Sequence, residues 1–240
     1  MELIEKKENK IVLKAEIDES LANAIRRYVG HIPVLAVDEV EIEKNDSPLY
    51  DETIAHRIGL IPLKTDKSVN EKTIENLKLS VNKEGIVYSG QLKGSAKVVY
   101  DKIPITLLNK GQELELTAKV KAGFGIEHSK FSPGIMFYRN FVSAKVEKDC
   151  PSEIIENCGK NSIKTDGGKL VISDIYGNDA CEAAIEKHLK EEKVKIEIIP
   201  SEEIIITIES FGQMDSGEIL KKSIESLKKD LEHVEKKVNK

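Results

Sequence analysis

Apolar and polar residues alternate from Lys10 to Ile17, with Ile11, Leu13, Ala15 and Ile17 on one side, the period of a half-buried strand. A helix follows, because Asp18 and Ser20 offer capping oxygens and Leu21, Ile25, Tyr28 and Val29 recur at helical spacing before Gly30 and Pro33 end it. Val34 to Ile42 reads as a second strand feeding a loop at Asn45 to Pro48, and Thr53 to Ile61 as a short helix closed by Gly59 and Pro62. Short β-like pieces come next, at Leu77 to Val81, Ile86 to Leu92, Ala96 to Tyr100, Glu113 to Lys121 and Met136 to Val146, so the middle of the chain reads as a β-rich unit.

From Asp149 the texture changes, with Cys150-Pro151, Cys158-Gly159, a Gly167-Gly168 turn, a strand at Lys169 to Ser173 and a helix from about Asp179 to Glu192. Val194, Ile196 and Ile198 then alternate, Pro200 and Ser201 are expected to turn the chain, and Ile204, Ile206 and Ile208 alternate again, which predicts a hairpin. The last helix starts at Asp215 or Ser216 and carries Leu220, Ile224, Leu227, Leu231, Val234 and Val238 at spacings of 4, 3, 4, 3 and 4. That is a heptad seam. Such a seam can pack on the chain's own sheet or on a partner helix, and both can hold at once.

Composition narrows the function. With 37 basic against 42 acidic residues the formal charge of the 240-residue chain is −5, which disfavours free-standing nucleic-acid binding through clustered cations. Apolar runs stay short of a bilayer span, and the charged stretch from Met1 to Lys10 does not read as a signal peptide, so a soluble cytoplasmic protein without membrane contact is expected. Trp is absent, and Ile, Val, Leu, Lys and Glu dominate, a bias compatible with adaptation to heat.

Catalytic constellations are missing. The chain has no phosphate-cradling loop, zinc-protease helix, nucleophile elbow or dinucleotide fingerprint, and no Asp-x-Asp pair for two-metal nucleotidyl transfer. Glu127-His128-Ser129 are sequence neighbours, whereas a triad assembles from distant segments, so a stand-alone hydrolase finds no support. Asn178, Cys181, Ala184 and His188 repeat the 3, 3, 4 spacing of an iron–sulfur ligand run with one cysteine among the four. Even with Cys150 and Cys158 the chain has three thiols and no Cys-x-x-Cys pair. The cysteines therefore read as free thiols, and a zinc site of three Cys plus His188 lacks the paired spacing of such sites.

One stretch is more specific. Asn23-Ala24-Ile25-Arg26-Arg27, then Ile32 to Ile42 (IPVLAVDEVEI), Asn45 to Glu52 (NDSPLYDE) and Ile54 to Leu63 (IAHRIGLIPL) closely resemble the D-subunit family of archaeal RNA polymerases, itself similar to the bacterial α-subunit N-terminal domain and to the third-largest subunit of eukaryotic RNA polymerase II. The resemblance implies an α+β fold in which residues 1–39 and 192–240 form a discontinuous dimerisation domain, an antiparallel sheet with two helices. A β-rich insert domain, 40–148, and a small degenerate ferredoxin-like subdomain, 149–191, interrupt it.

The resemblance further implies a non-catalytic assembly subunit of DNA-directed RNA polymerase, the nucleotidyltransferase activity belonging to the complex. Pairing with the small L subunit is expected through Leu220, Ile224, Leu227, Leu231 and Val234 together with Leu21, Ile25 and Tyr28. Arg26 and Arg27 are expected to face a large catalytic subunit, and His56 and Arg57 the small N and P subunits. Many members of the family hold iron–sulfur clusters at the positions of Asn178, Cys181, Ala184 and His188; here Cys181 reads as a remnant of a lost ligand set, and no cofactor is expected. The alternative is a ferredoxin-like redox or metal-binding protein with an appended scaffold.

Overall fold

The computed structural model describes residues 1–66, 69–70, 72–147, 150–159, 162–191 and 194–239. Among these residues, twelve strands and five α-helices follow one another: β1 (Glu2–Lys6), β2 (Lys10–Glu16), α1 (Glu19–Tyr28), β3 (Pro33–Asn45), α2 (Asp51–Gly59), β4 (Ile74–Val81), β5 (Gly85–Tyr88), β6 (Lys93–Gly94), β7 (Pro104–Leu108), β8 (Leu114–Phe124), β9 (Gly134–Val146), α3 (Ser152–Cys158), β10 (Ile163–Asp166), β11 (Lys169–Ile172), α4 (Asp179–Glu191), β12 (Ile196–Ser210) and α5 (Ser216–Val238). The chain is thus α+β with antiparallel sheets. It divides into two compact units, one of Met1–Ile4, Val12–Ala22 and Tyr138–Ile206, the other of Glu5–Ile11, Asn23–Phe137 and Thr207–Lys240.

A six-stranded sheet has its strands in the order β1-β2-β12-β9-β11-β10. Gly167 and Gly168, both at positive φ, close the β10–β11 hairpin between Asp166 and Lys169, the two-residue turn that needs left-handed backbone at both positions. β11 pairs antiparallel with β9, Ile172 opposite Ala144. Against them α3 and α4 pack Ile154, Cys158, Cys181, Ala184 and Ile185 into one core. Arg139 on β9 grips the Asp174 carboxylate with both guanidinium nitrogens, one bond being 2.7 Å, and Asp174 sits in the left-handed region that short polar side chains tolerate.

In the second unit β3, β8, β4 and β6 form a sheet in that order, beside the two-stranded sheet of β5 and β7. Leu114, Leu116, Ala118 and Val120 alternate inward along β8, meeting Leu77 and Leu79 of β4, Leu35 and Val37 of β3, and Ile54 and Ile58 of α2. Alternate residues of β8 thus share one buried face of the sheet, so the period of two is the folding signal here.

Three expectations change. The predicted hairpin over Val194–Ile208 is one continuous strand, β12: Pro200, Ser201, Glu202 and Glu203 include no residue that enters positive φ readily, and proline's fixed φ suits extended backbone. Ala96–Tyr100 contributes only an isolated bridge, Val98 to Leu63, in place of a strand. Of the three thiols only Cys150 stays free. Cys158 at the end of α3 and Cys181 in α4 are joined as a disulfide, because packing α3 on α4 brings together sulfurs 23 residues apart, a pairing that spacing cannot announce. The strand β3 runs unbroken through the 39/40 boundary, while residues 148, 149 and 192, at the other two boundaries, lie outside those described.

Denatured but unreduced protein should alkylate at one thiol, Cys150, and at three after reduction; mass spectrometry showing three labelled thiols without reductant would remove the α3–α4 link.

Candidate partner-docking face

The helix α5 begins where Asp215 accepts a hydrogen bond from the Gly217 N–H at 2.8 Å, with Glu218 in its first turn and Lys236 and Lys237 in its last, so cap and macrodipole both favour it. Glu218–Lys222, Lys221–Glu225 and Lys228–Glu232 pair one turn apart on its surface. Its 23 residues give a length of about 34 Å.

Two faces of this helix differ. Ser216, Ile219 and Ser223 are fully buried, the small serines allowing close approach, and the Ser223 hydroxyl donates to the Leu220 carbonyl at 2.8 Å. The neighbouring apolar stripe is left in solvent: Ile224 is 37% exposed, Leu231 59%, Val234 55% and Val238 78%, with Leu220 and Leu227 half-buried. Every described residue from Lys228 onward is exposed. The chain covers the serine face and leaves the outer half of the heptad seam bare.

Among the described residues a polar contact ties this bare half to the end of α1. The Tyr28 hydroxyl at the end of α1 donates to Asp230 at 2.8 Å, and its ring stacks on His31 with centroids 4.5 Å apart. The hydrogen bond to Asp230, with some help from burial, pushes the Tyr28 phenol above its ordinary pKa, so it stays a donor. Between this contact and Phe124 and Pro33 lies a cleft of about 520 Å³, also bordered by His31, Lys72, Ser226 and Lys229.

The other expected contact residues are distributed as follows. Leu21 is exposed, whereas Ile25 is buried within the chain's own core. Arg26 and Arg27 are exposed at the helix end, Arg26 bridging back to Asn23 Oδ1 at 2.8 Å. His56 and Arg57 are exposed on α2, which Ile54 and Ile58 anchor from below; Arg57 also donates to the Ile105 carbonyl at 2.6 Å. Of the ligand-run positions, Asn178 accepts from the Ala180 N–H and donates to the Asn157 carbonyl, Cys181 is in the disulfide, Ala184 is core, and buried His188 lies 3.2 Å from Glu153. His128 accepts the Lys130 N–H at its Nδ1, a local turn contact, and a side chain at Gly123 would meet the Phe131 ring at 2.6 Å.

Sequence reasoning missed two polar groups. Tyr28 and Asp230 are 202 residues apart, so no local pattern links them. Near His56, Asp38 pairs with Lys121 at 2.9 Å and Lys130 at 3.4 Å, while Lys130 also donates to the Val37 carbonyl. Burial works to raise the Asp38 carboxyl, but the hydrogen bonds and charges of Lys121 and Lys130 outweigh it and hold it below the usual carboxylate range.

The family model "RNA polymerase Rpb3/RpoA insert domain" matches residues 40–136. The DNA-directed RNA polymerase subunit Rpo3 of Thermococcus kodakarensis is 33% identical over 236 residues, covering 91% of this chain and 89% of that protein, and that of Archaeoglobus fulgidus is 31% identical over 98% of this chain and 96% of that protein. The chain belongs to the archaeal Rpo3 family. The Pyrococcus furiosus Rpo3 is 41% identical over a shorter alignment, 63% of this chain and 62% of that protein. The matched insert-domain segment runs from within β3 to the start of β9 and so contains α2, the β5–β7 sheet and the Asp38 cluster's Lys121 and Lys130. Among the described residues no helix is long and apolar enough to cross a membrane.

Because Asp38 titrates lower in the folded chain than unfolded, it stabilises the fold above the usual carboxylate range, and that contribution disappears as pH falls through its lowered value. Asp38→Asn should therefore cost stability at neutral pH, with the gap to wild type narrowing below about pH 4 in urea titrations; a gap that is constant with pH would contradict the charge assignment.

Proposed function

We propose that this chain is a non-catalytic assembly subunit of archaeal DNA-directed RNA polymerase, pairing through α5 with the small L subunit and presenting further faces to the N and P subunits and to the large catalytic subunits. The observation that carries this reading is the seam from Leu220 to Val238, apolar at heptad spacing and bare along its outer half. A covering helix would bury apolar area at about 25 cal/mol per Å², so pairing is favoured wherever a matching stripe is available.

Family membership supports the complex, since the relatives' names are those of polymerase subunits. The lack of nucleotidyl-transfer motifs in the sequence supports an assembly role, with the chemistry owned by the large subunits. In the proposed division, 1–39 and 192–240 make the dimerisation domain, 40–148 the insert and 149–191 a ferredoxin-like block stapled by Cys158–Cys181. Arg26 and Arg27 face a large subunit, where a rigid guanidinium fork can hold a carboxylate at two points. Exposed His56 meets N and P, and Arg57 serves that contact while steadying α2 against the Ile105 carbonyl.

Leu227→Asp and Leu231→Asp should each abolish co-purification with a co-expressed L-type subunit, and Leu231→Asp should leave far-UV circular dichroism unchanged, because Leu231 is solvent-exposed in the lone chain. Variants that still elute one-to-one with the partner would sink the assignment.

A further inference from the structure

The seam of α5 has two polar flanks, and they are not equivalent. On one side Ser223, Asp230 and Lys237 precede Ile224, Leu231 and Val238; on the other Lys221, Lys228 and Glu235 follow Leu220, Leu227 and Val234. The first flank is committed to the chain itself over most of its length. Ser223 is fully buried, and the Asp230 carboxylate accepts the Tyr28 hydroxyl. The second flank is open: the Lys221 and Lys228 side chains are each 76% exposed, and their ion partners, Glu225 and Glu232 on the same helix, stand off at 3.8 and 3.9 Å.

We infer that the occupant of the seam is an amphipathic helix of a partner subunit with carboxylates opposite Lys221 and Lys228, and that these two lysines set partner choice. The inference rests on the pairing reading above and adds the chemistry of the partner's edge. In helix pairs the apolar seam gives affinity with little discrimination, whereas the charges bordering it decide which helix is accepted and in which register. Here one border is open for that task, and along Leu220 to Leu231 its charge is positive. The opposite border cannot contribute equally, since Asp230 is already engaged by a hydrogen bond from Tyr28, whose ring is held in place by its stack on His31.

The test is to co-express the full chain with the L-type subunit and measure the dissociation constant for wild type, a Lys221→Glu/Lys228→Glu double variant, the charge-keeping Lys221→Arg/Lys228→Arg pair, and Leu231→Asp. Exposed ion pairs contribute modestly, so replacing two attractions by two repulsions should weaken pairing by about tenfold at about 0.1 M salt. The deficit should vanish in about 1 M salt, where the screening length is about 3 Å, and the arginine pair should bind like wild type. If the glutamate variant pairs as tightly as wild type while Leu231→Asp does not pair, the charge inference falls and the pairing reading stands. If Leu231→Asp also pairs normally, or if the seam is instead filled by a second copy of this chain whose association ignores the lysine substitutions, both fall.

Discussion

A helix with two packing faces needs two surfaces to cover them, and this chain supplies one. α5 lays Ser216, Ile219 and Ser223 against its own body and leaves Ile224 at the edge of solvent, with the stripe continuing bare through Leu231 to Val238. Nothing local forces that outcome. A helix of this length with only its first two turns packed is stabilised along the rest by its ion pairs and the Tyr28–Asp230 bond, and exposed contributions of that kind are each worth about 1 kcal/mol or less. The outer half is thus ordered enough to be recognised and bare enough to gain from being covered.

The rest of the second unit can be understood as support for that presentation. The central strand β8 is locked between β3 and β4 by alternating aliphatic side chains, and α2 is fastened by Ile54, Ile58 and the Arg57 bond to Ile105. A rigid sheet keeps Phe124, at the end of β8, and Pro33, at the start of β3, beside the α5 cleft. In the first unit the two-helix layer of α3 and α4 relies on a smaller core, to which the Cys158–Cys181 link adds a covalent constraint on the unfolded chain.

How much of this is legible in the sequence depends on the range of the interaction. Period-two stripes mark β2, β3, β4, β8 and β9, and helical spacing marks α1, α4 and α5, because burial of one face imposes a pattern within a single element. The seam is visible for the same reason, although spacing leaves open whether the chain itself covers it. β1 and α3 escape such a reading: the former is highly charged, and the latter is seven residues long, too short for periodicity to register. The hairpin expected over Pro200 does not form, because proline's φ fits a strand as well as a turn. The disulfide, the Tyr28–Asp230 bond and the Asp38 cluster join distant segments, and no local rule reaches that far.

Hydrogen exchange along α5, with the chain alone and bound to a co-expressed L-type subunit, reads out whether the outer half of the helix waits for a partner. Amides of the first two turns should be protected in the lone chain, those from about Lys228 onward should exchange readily, and the outer set should become protected in the heterodimer. Equal protection along the whole helix in the monomeric lone chain, or no change on adding the L-type subunit, would contradict the pairing.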